Sequence, residues 1–285
     1  MTPLGKLQAH EARRRLARLA AQPEASIDLA HAALLIAAEE QPGLDVEKYR
    51  ALLLEWGLAA RERVGRAQGS VIKALNHFVF EELGFAGNHG DYYDPANSLL
   101  HEVLTRRKGI PITLSLVYID VGRRAGLEVA GVGLPGHFIV RAQVTMAEGA
   151  ETALVDPFNG KVIDEEECQQ RLDEMYGGQV LLTQEMFRPA RPREILVRLL
   201  RNLKAIYAQA QLYRCTLAII DRILLFAPDA HDEHRDRGTL LAQLGHYAAG
   251  IGEIESYLQH APQAPDAERV REQLKKMRLQ MAMLN

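Results

Sequence analysis

Two residues carry the strongest chemical suggestion in this chain: His137, which opens an apolar stretch in PGHF, and Asp156, which stands before a proline in VDPFNG. An imidazole whose second ring nitrogen is held by a carboxylate is a general base, and beside a helix N-terminus it also favours a thiolate. Each residue has a plainer reading too, His137 as a half-buried polar side chain and Asp156 as a turn former. His89, Asp91 and Asp94, within GNHGDYYDPANS, are of types that ligate zinc or manganese. Asp and Asn in such a stretch more commonly make turns and helix caps, so no metal and no cofactor are expected. His101 followed by Glu102 lacks the second histidine of a zinc-protease helix, and His231 with His234 reads as a solvated helix face. The only cysteines, Cys168 and Cys215, supply neither a disulfide framework nor a thiolate zinc site. Cys168 follows an acidic run that raises a thiol pKa, Cys215 reads as packing, and a reducing cytoplasm fits both.

These residues need elements to position them. Up to about residue 86 the apolar residues recur at three- and four-residue intervals, so helices are expected, with Ser26, Asp45 and Ser70 at their starts. One is expected over Tyr49 to Val64 with Leu52, Leu53, Trp56, Leu58 and Ala59 on its inner side, and another from Ser70 to Gly84. Gly87 to Ser98 reads as a turn-rich loop. Asp94 and Pro95 make a helix entry, and that helix should run to Arg107 with Gly109 as its stop. Arg106, Arg107 and Lys108 would complement its C-terminus. Pro111 suits the first turn of the next helix, ITLSLVYIDVGRR, which is apolar on most faces and therefore buried. Period-two patterns in LEVAGVG, HFIVRAQV and TALVD then predict an antiparallel sheet, with QVLLT as a further strand after an acidic-started helix from Asp164 to Tyr176. RPARPRE, residues 188–194, reads as a linker.

Beyond the linker a 34-residue shift pairs Tyr213 with Tyr247, Leu217 with Ile251, Leu224 with Leu258, Ala227 with Ala261 and Pro228 with Pro262. That period, with a small residue and a proline closing each unit, is the pattern of tetratricopeptide helix pairs. The expected class is thus α+β: a helical N-terminal part over residues 1–86, a core with an antiparallel sheet over 87–187, and α-helical repeats over 195–285. In the 285 residues, Lys plus Arg number 34 and Asp plus Glu 37, a net charge of −3 without the basic excess that nucleic acid demands. The N-terminal stretch does not read as an export signal, and the longest apolar run is shorter than the roughly 20 residues of a membrane span.

Four stretches, AALLIAAEEQPGLD, FEELGFAGNHGDYYDPANSLLHEVLTRRKGIPITLSLVY, GVGLPGHFIVR and DPFNG, resemble a bacterial branch of the transglutaminase-like superfamily, the Sir-B type, which pairs a papain-like fold with tetratricopeptide-like repeats. With the repeats the resemblance covers all but the N-terminal helix. In that superfamily a cysteine at the head of a buried helix attacks a carbonyl, a strand histidine activates it, and an aspartate before proline orients the histidine. The resemblance gives the last two roles to His137 and Asp156. Counting back from Ala125, Gly126 and Leu127, which resemble the close of the nucleophile helix, the cysteine position falls at or next to Pro111. Neither Pro111 nor Ile112 is a nucleophile. At about 100° per residue Thr113 points away from the Pro111 direction, and Ser115 returns to it about a turn deeper; both hydroxyls are expected to bond back to carbonyls of the preceding turn.

The functional expectation is a catalytically degenerate domain acting as a binding or regulatory module. Its cleft near His137 and Asp156, with Tyr92, Tyr93, Asp94, Asn97 and Ser115, would take a protein or peptide partner, and repeats 195–285 would present a second surface. Nucleic acid and membrane are not expected partners. Two alternatives remain open at this point: an amide hydrolase or acyl transferase in which His137 and Asp156 activate water or Ser115, and a scaffold whose repeats alone bind.

Overall fold

The computed structural model describes residues 2–146 and 149–284 and divides into two compact units, residues 1–199 and 200–285. In the first unit three helices come first: α1 (Pro3–Ala20), α2 (Leu29–Glu40) and α3 (Val46–Gly65). Side-chain carboxylates close the starts of the latter two, Asp28 on the amide of His31 and Asp45 on that of Lys48. The cap of α2 is therefore Asp28, not Ser26, which lies in a short 3₁₀ turn. The inner stripe of α3 is Leu53, Trp56, Gly57 and Ala60, the i, i+3, i+4, i+7 set, and Leu58 is exposed rather than inward. Gly57 is required by the approach of the next layer, since a Cβ there would lie 2.4 Å from Cβ of Arg124. Gly57→Ala should lower stability by about 1–3 kcal/mol, read as a drop in the urea midpoint at unchanged slope.

Helix α4 (Val71–Asn76), capped by Ser70, widens into a π-helical turn over His77–Glu82, and the chain turns at Gly84 with φ +74°. A two-residue strand β1 (Ala86–Gly87) follows, then a loop, a 3₁₀ turn at Pro95–Ser98 and α5 (Leu100–Arg106). The single helix expected from Asp94 to Arg107 is thus split at Leu99, whose backbone is extended. The reason lies in Asn97: its buried amide reaches back to the carbonyls of Asp91, at 2.6 Å, and Tyr92, at 3.2 Å, and holds the preceding loop instead of continuing a helix. Strand β2 (Lys108–Gly109) pairs in parallel with β1, matching Gly109 to Gly87. Helix α6 (Pro111–Arg124) starts at the expected proline and is buried along most of its length.

The sheet is antiparallel in the order β3 (Glu128–Leu134), β4 (His137–Met146), β5 (Gly149–Asp156) and β6 (Lys161–Ile163), and α6 packs on β3 and β4. The fourth strand is β6 and not QVLLT. That segment's backbone is satisfied by Gln169 of α7 (Glu165–Tyr176), whose side chain receives the amide of Leu182 at 2.7 Å and donates to the carbonyl of Val180 at 3.1 Å. Residues 188–194 are also tied down rather than loose: the amide of Ala190 bonds the carbonyl of Gly131, and Arg188 and Arg191 clasp Glu194. Helix α8 (Pro192–Gln209) begins there, and the division between units falls within it.

In the second unit α9 (Tyr213–Phe226) and α11 (Tyr247–His260) start 34 residues apart, as the repeat requires, with α10 (His231–Gln243) between them and α12 (Ala267–Leu284) last. Ile251, Ile254, Tyr257, Val270, Leu274 and Met277 form a common core. Gly238 of α10 and Gly250 of α11 face one another so closely that a Cβ on either would meet the other's carbonyl oxygen, at 2.9 Å and 2.7 Å. Among the described residues no helix is long and apolar enough to cross a membrane.

Candidate functional site

Asp156 ends β5 with its side chain fully buried, and its carboxylate is surrounded by donors. Oδ1 accepts from the backbone amides of Phe158 at 3.0 Å and Asn159 at 3.4 Å, and Oδ2 from the Asn159 side chain at 2.7 Å. Arg171 Nη1 approaches Oδ2 to 2.5 Å. His137 opens β4 and brings Nε2 to 3.2 Å from Oδ1. Burial acts to raise the Asp156 pKa, but the contacts of His137, Asn159 and Arg171 overcome it and hold the carboxyl well below the usual carboxylate range. The two residues that order and chemistry single out are therefore brought together. Their three further neighbours, Phe158, Asn159 and Arg171, were not among the expected site residues.

Backbone pairing carries this turn to the head of α6. The amide of Gly87 donates to the carbonyl of Phe158 at 3.0 Å, Gly87 pairs with Gly109, and the amide of Asn88 donates to the carbonyl of Gly109 at 2.9 Å. The Asp156 turn, β1 and the lead into Pro111 thus lie side by side at strand spacings of about 4.8 Å. A Cβ on Gly87 would sit 2.6 Å from the Phe158 carbonyl oxygen, a backbone atom unable to swing aside. Gly87→Ala is accordingly expected to lower stability by about 1–3 kcal/mol, checked by equilibrium urea unfolding.

Helix α6 begins Pro111-Ile112, with Thr113 and Ser115 in its first turns. Pro111 has no reactive atom, and Thr113 is committed: its Oγ1 donates to the Asn97 carbonyl at 2.7 Å and accepts the Ile110 amide at 3.1 Å. Ser115 Oγ is sealed in the core without a hydrogen-bond partner, so it neither bonds back along the helix, as expected, nor meets His137. Cys168 lies in an apolar cluster with Val132, Leu134, Ile139 and Ile163, and burial, more than its acidic neighbours, pushes its thiol up to about 11.

Of the loop residues, Asp94 and Asn97 are consumed in building the loop. Asp94 caps the 3₁₀ turn and takes Arg106 at 2.7 Å, while Asn97 Oδ1 takes Asn88 at 3.0 Å. Arg106 thus serves Asp94, while Arg107, with φ +59°, donates from Nη1 to the Leu104 carbonyl at 2.8 Å at the end of α5, as expected, and lays its guanidinium over Trp56 at 4.0 Å. The His89 ring rests 4.4 Å from that of Phe158. Tyr92, 6.0 Å from Phe158, and Tyr93 remain 40% and 67% exposed. Arg198 of α8 donates to the His137 carbonyl at 2.7 Å and the Leu134 carbonyl at 3.0 Å, fixing the start of β4. Met175 of α7 lies against Gly136, so α7 covers the turn before His137. A cavity lined by Gly133, Phe138, Met186 and Arg198 opens nearby, but neither His137 nor Asp156 lines it.

The sequence profile of the transglutaminase-like superfamily matches residues 10–201. The chain belongs to the transglutaminase-like superfamily. The match covers the elements that hold His137, Asp156 and Pro111, and a tetratricopeptide repeat profile matches residues 203–275. This transglutaminase-like chain is 38% identical over 259 residues to a UPF0162 protein of Xylella fastidiosa strain Temecula1, covering 89% of this chain and 91% of that one. It is 28% identical over 209 residues to a UPF0162 protein of Vibrio cholerae, covering 73% and 76% respectively. It is also similar to mouse F-box only protein 21, 31% identical over 174 residues, which are 57% of this chain and 26% of that protein. The matched stretch is thus a small part of a longer protein.

Proposed function

We propose that this chain is a catalytically degenerate transglutaminase-like protein that acts as a protein-binding module, of the Sir-B type, in a reducing cytoplasm. The observation that carries the reading is the head of α6: a base-type pair stands beside a helix that begins Pro111-Ile112, with one hydroxyl committed and the next sealed in the core. Acyl transfer through an enzyme nucleophile needs a thiol, hydroxyl or amine that a base can reach, and among the described residues neither hydroxyl of the first turns of α6 is available to one. The exposed faces beside the pair are aromatic and apolar, Tyr92 and Tyr93 on the loop and Met175 and Tyr176 on α7. Such groups anchor peptides.

The repeat unit supplies the second surface. A groove of about 280 Å³ is lined by Lys204, Arg235, Thr239, Gln243, Arg269 and Gln273, the face that α8, α10 and α12 share. Its cations are held in place by carboxylates, Lys204 by Glu233 and Asp236 and Arg235 by Asp266. Ala208 and Leu240 also line it, so it suits a segment that combines apolar with hydrogen-bonding side chains.

A photo-crosslinking peptide library tests the two surfaces together. Tyr92→Ala with Tyr93→Ala should reduce capture on the loop and α7 by about tenfold, equivalent to about 1.4 kcal/mol. Labelling of α10 and α12 should persist. Labelling confined to the repeats in the wild-type protein would leave the transglutaminase-like unit as a scaffold.

A further inference from the structure

We infer that Arg171 is the positioning residue that fixes the tautomer of His137, placing the imidazole hydrogen on Nδ1 and turning the His137–Asp156 pair from a proton acceptor into a hydrogen-bond donor. The assignment deepens the functional reading above, but its geometry stands apart from the question of turnover.

In neutral imidazole one ring nitrogen donates and the other accepts, and the partners of each decide which. Nε2 of His137 has two neighbours: Asp156 Oδ1 at 3.2 Å, an acceptor, and Arg171 Nη1 at 2.7 Å, a donor. Guanidinium nitrogens have hydrogens and no accepting lone pair, so a contact of 2.7 Å between Nη1 and Nε2 requires a bare Nε2. In the neutral ring the shorter, better-matched contact decides; the protonated ring, with hydrogens on both nitrogens, is the form that donates to Asp156 and holds its carboxyl low. Nη1 carries two hydrogens, and its 2.5 Å contact with Asp156 Oδ2 uses the other one. One guanidinium nitrogen thus bridges carboxylate and imidazole, and the carboxylate's remaining capacity is filled by the Phe158 and Asn159 amides and the Asn159 side chain. Nδ1 makes no hydrogen bond among the described residues, and the His137 side chain keeps 14% of its surface exposed. It is the nitrogen a ligand meets.

A base held by its aspartate works the other way round, with Nε2–H donating to the carboxylate and the lone pair left on Nδ1. Arg171 reaches this position because α7 lies across the start of β4, with Met175 one turn on packed against Gly136. The ligand class that follows for Nδ1–H is an acceptor, such as a peptide carbonyl oxygen.

Two-bond nitrogen–proton correlation spectra of the full chain, with imidazole nitrogens labelled and the ring neutral, read this directly. His137→Gln identifies the His137 signals by their loss. The wild-type protein should show the hydrogen on Nδ1, and Arg171→Met, or Arg171→Ala if methionine is not tolerated, should move it to Nε2. A wild-type hydrogen on Nε2 overturns the assignment, as does a hydrogen that stays on Nδ1 without Arg171. Either result is independent of whether peptides are turned over, since turnover lost on His137→Ala would contradict the functional reading whatever the tautomer.

Discussion

Asp156→Ala is expected to cost about 3–5 kcal/mol, the range for breaking a buried charged pair by removing one partner, and to leave the first unit only marginally folded. Its carboxylate is the acceptor for two backbone amides, the Asn159 amide and Arg171, and the alanine variant leaves these donors in a site with 0% exposure at its centre. The pH dependence has a definite sign. Asp156 titrates below its unfolded value because its donors outweigh the cost of burial. Its ionised form therefore adds stability that is fully present above an unfolded carboxylate pKa of about 3.9 and is lost as pH falls toward the folded value. The stability difference between wild type and Asp156→Asn should be level at neutral pH and shrink below about pH 4. A difference that grows with acid would contradict this.

Gly238→Leu or Gly250→Leu should disrupt the repeat unit, at about 3 kcal/mol, the upper end of overpacking costs. At both positions the obstacle includes a facing carbonyl, which moves only if α10 and α11 separate. Trp56, the single tryptophan, reports on the first unit. In these variants far-ultraviolet circular dichroism should fall at lower urea than Trp56 fluorescence does. Coincident transitions would show that the glycine contact is not what holds the pair.

The sequence showed most of the helices, three of the four sheet strands and the repeat period, because each is written in local periodicity: Asp45 and Ser70 at their caps, Pro111 at its helix start, and Tyr213 and Tyr247 one repeat apart. What it hid depended on contacts distant along the chain. Leu58 shares an apolar character with Leu53 but lies on the outer face, and only the position of α6 against Gly57 defines which face is inner. QVLLT has the composition of a strand, yet Gln169 takes over its backbone groups. Asn97 was expected to line a cleft and instead locks the loop from within. His137 and Asp156 were legible as a pair through their order and surroundings. Arg171 was not, because nothing local marks one arginine on an amphipathic helix as the one that folds back 34 residues onto a histidine.

On the proposed function, the His137–Asp156 pair stands without a nucleophile and serves binding. The most direct measurement is mass spectrometry of a diverse peptide pool incubated with the wild-type protein and with His137→Ala, scored for cleavage, deamidation and cross-linking. Unreacted and identical pools are the predicted result. Products formed by the wild type and absent with His137→Ala would contradict the account and make the pair a working base.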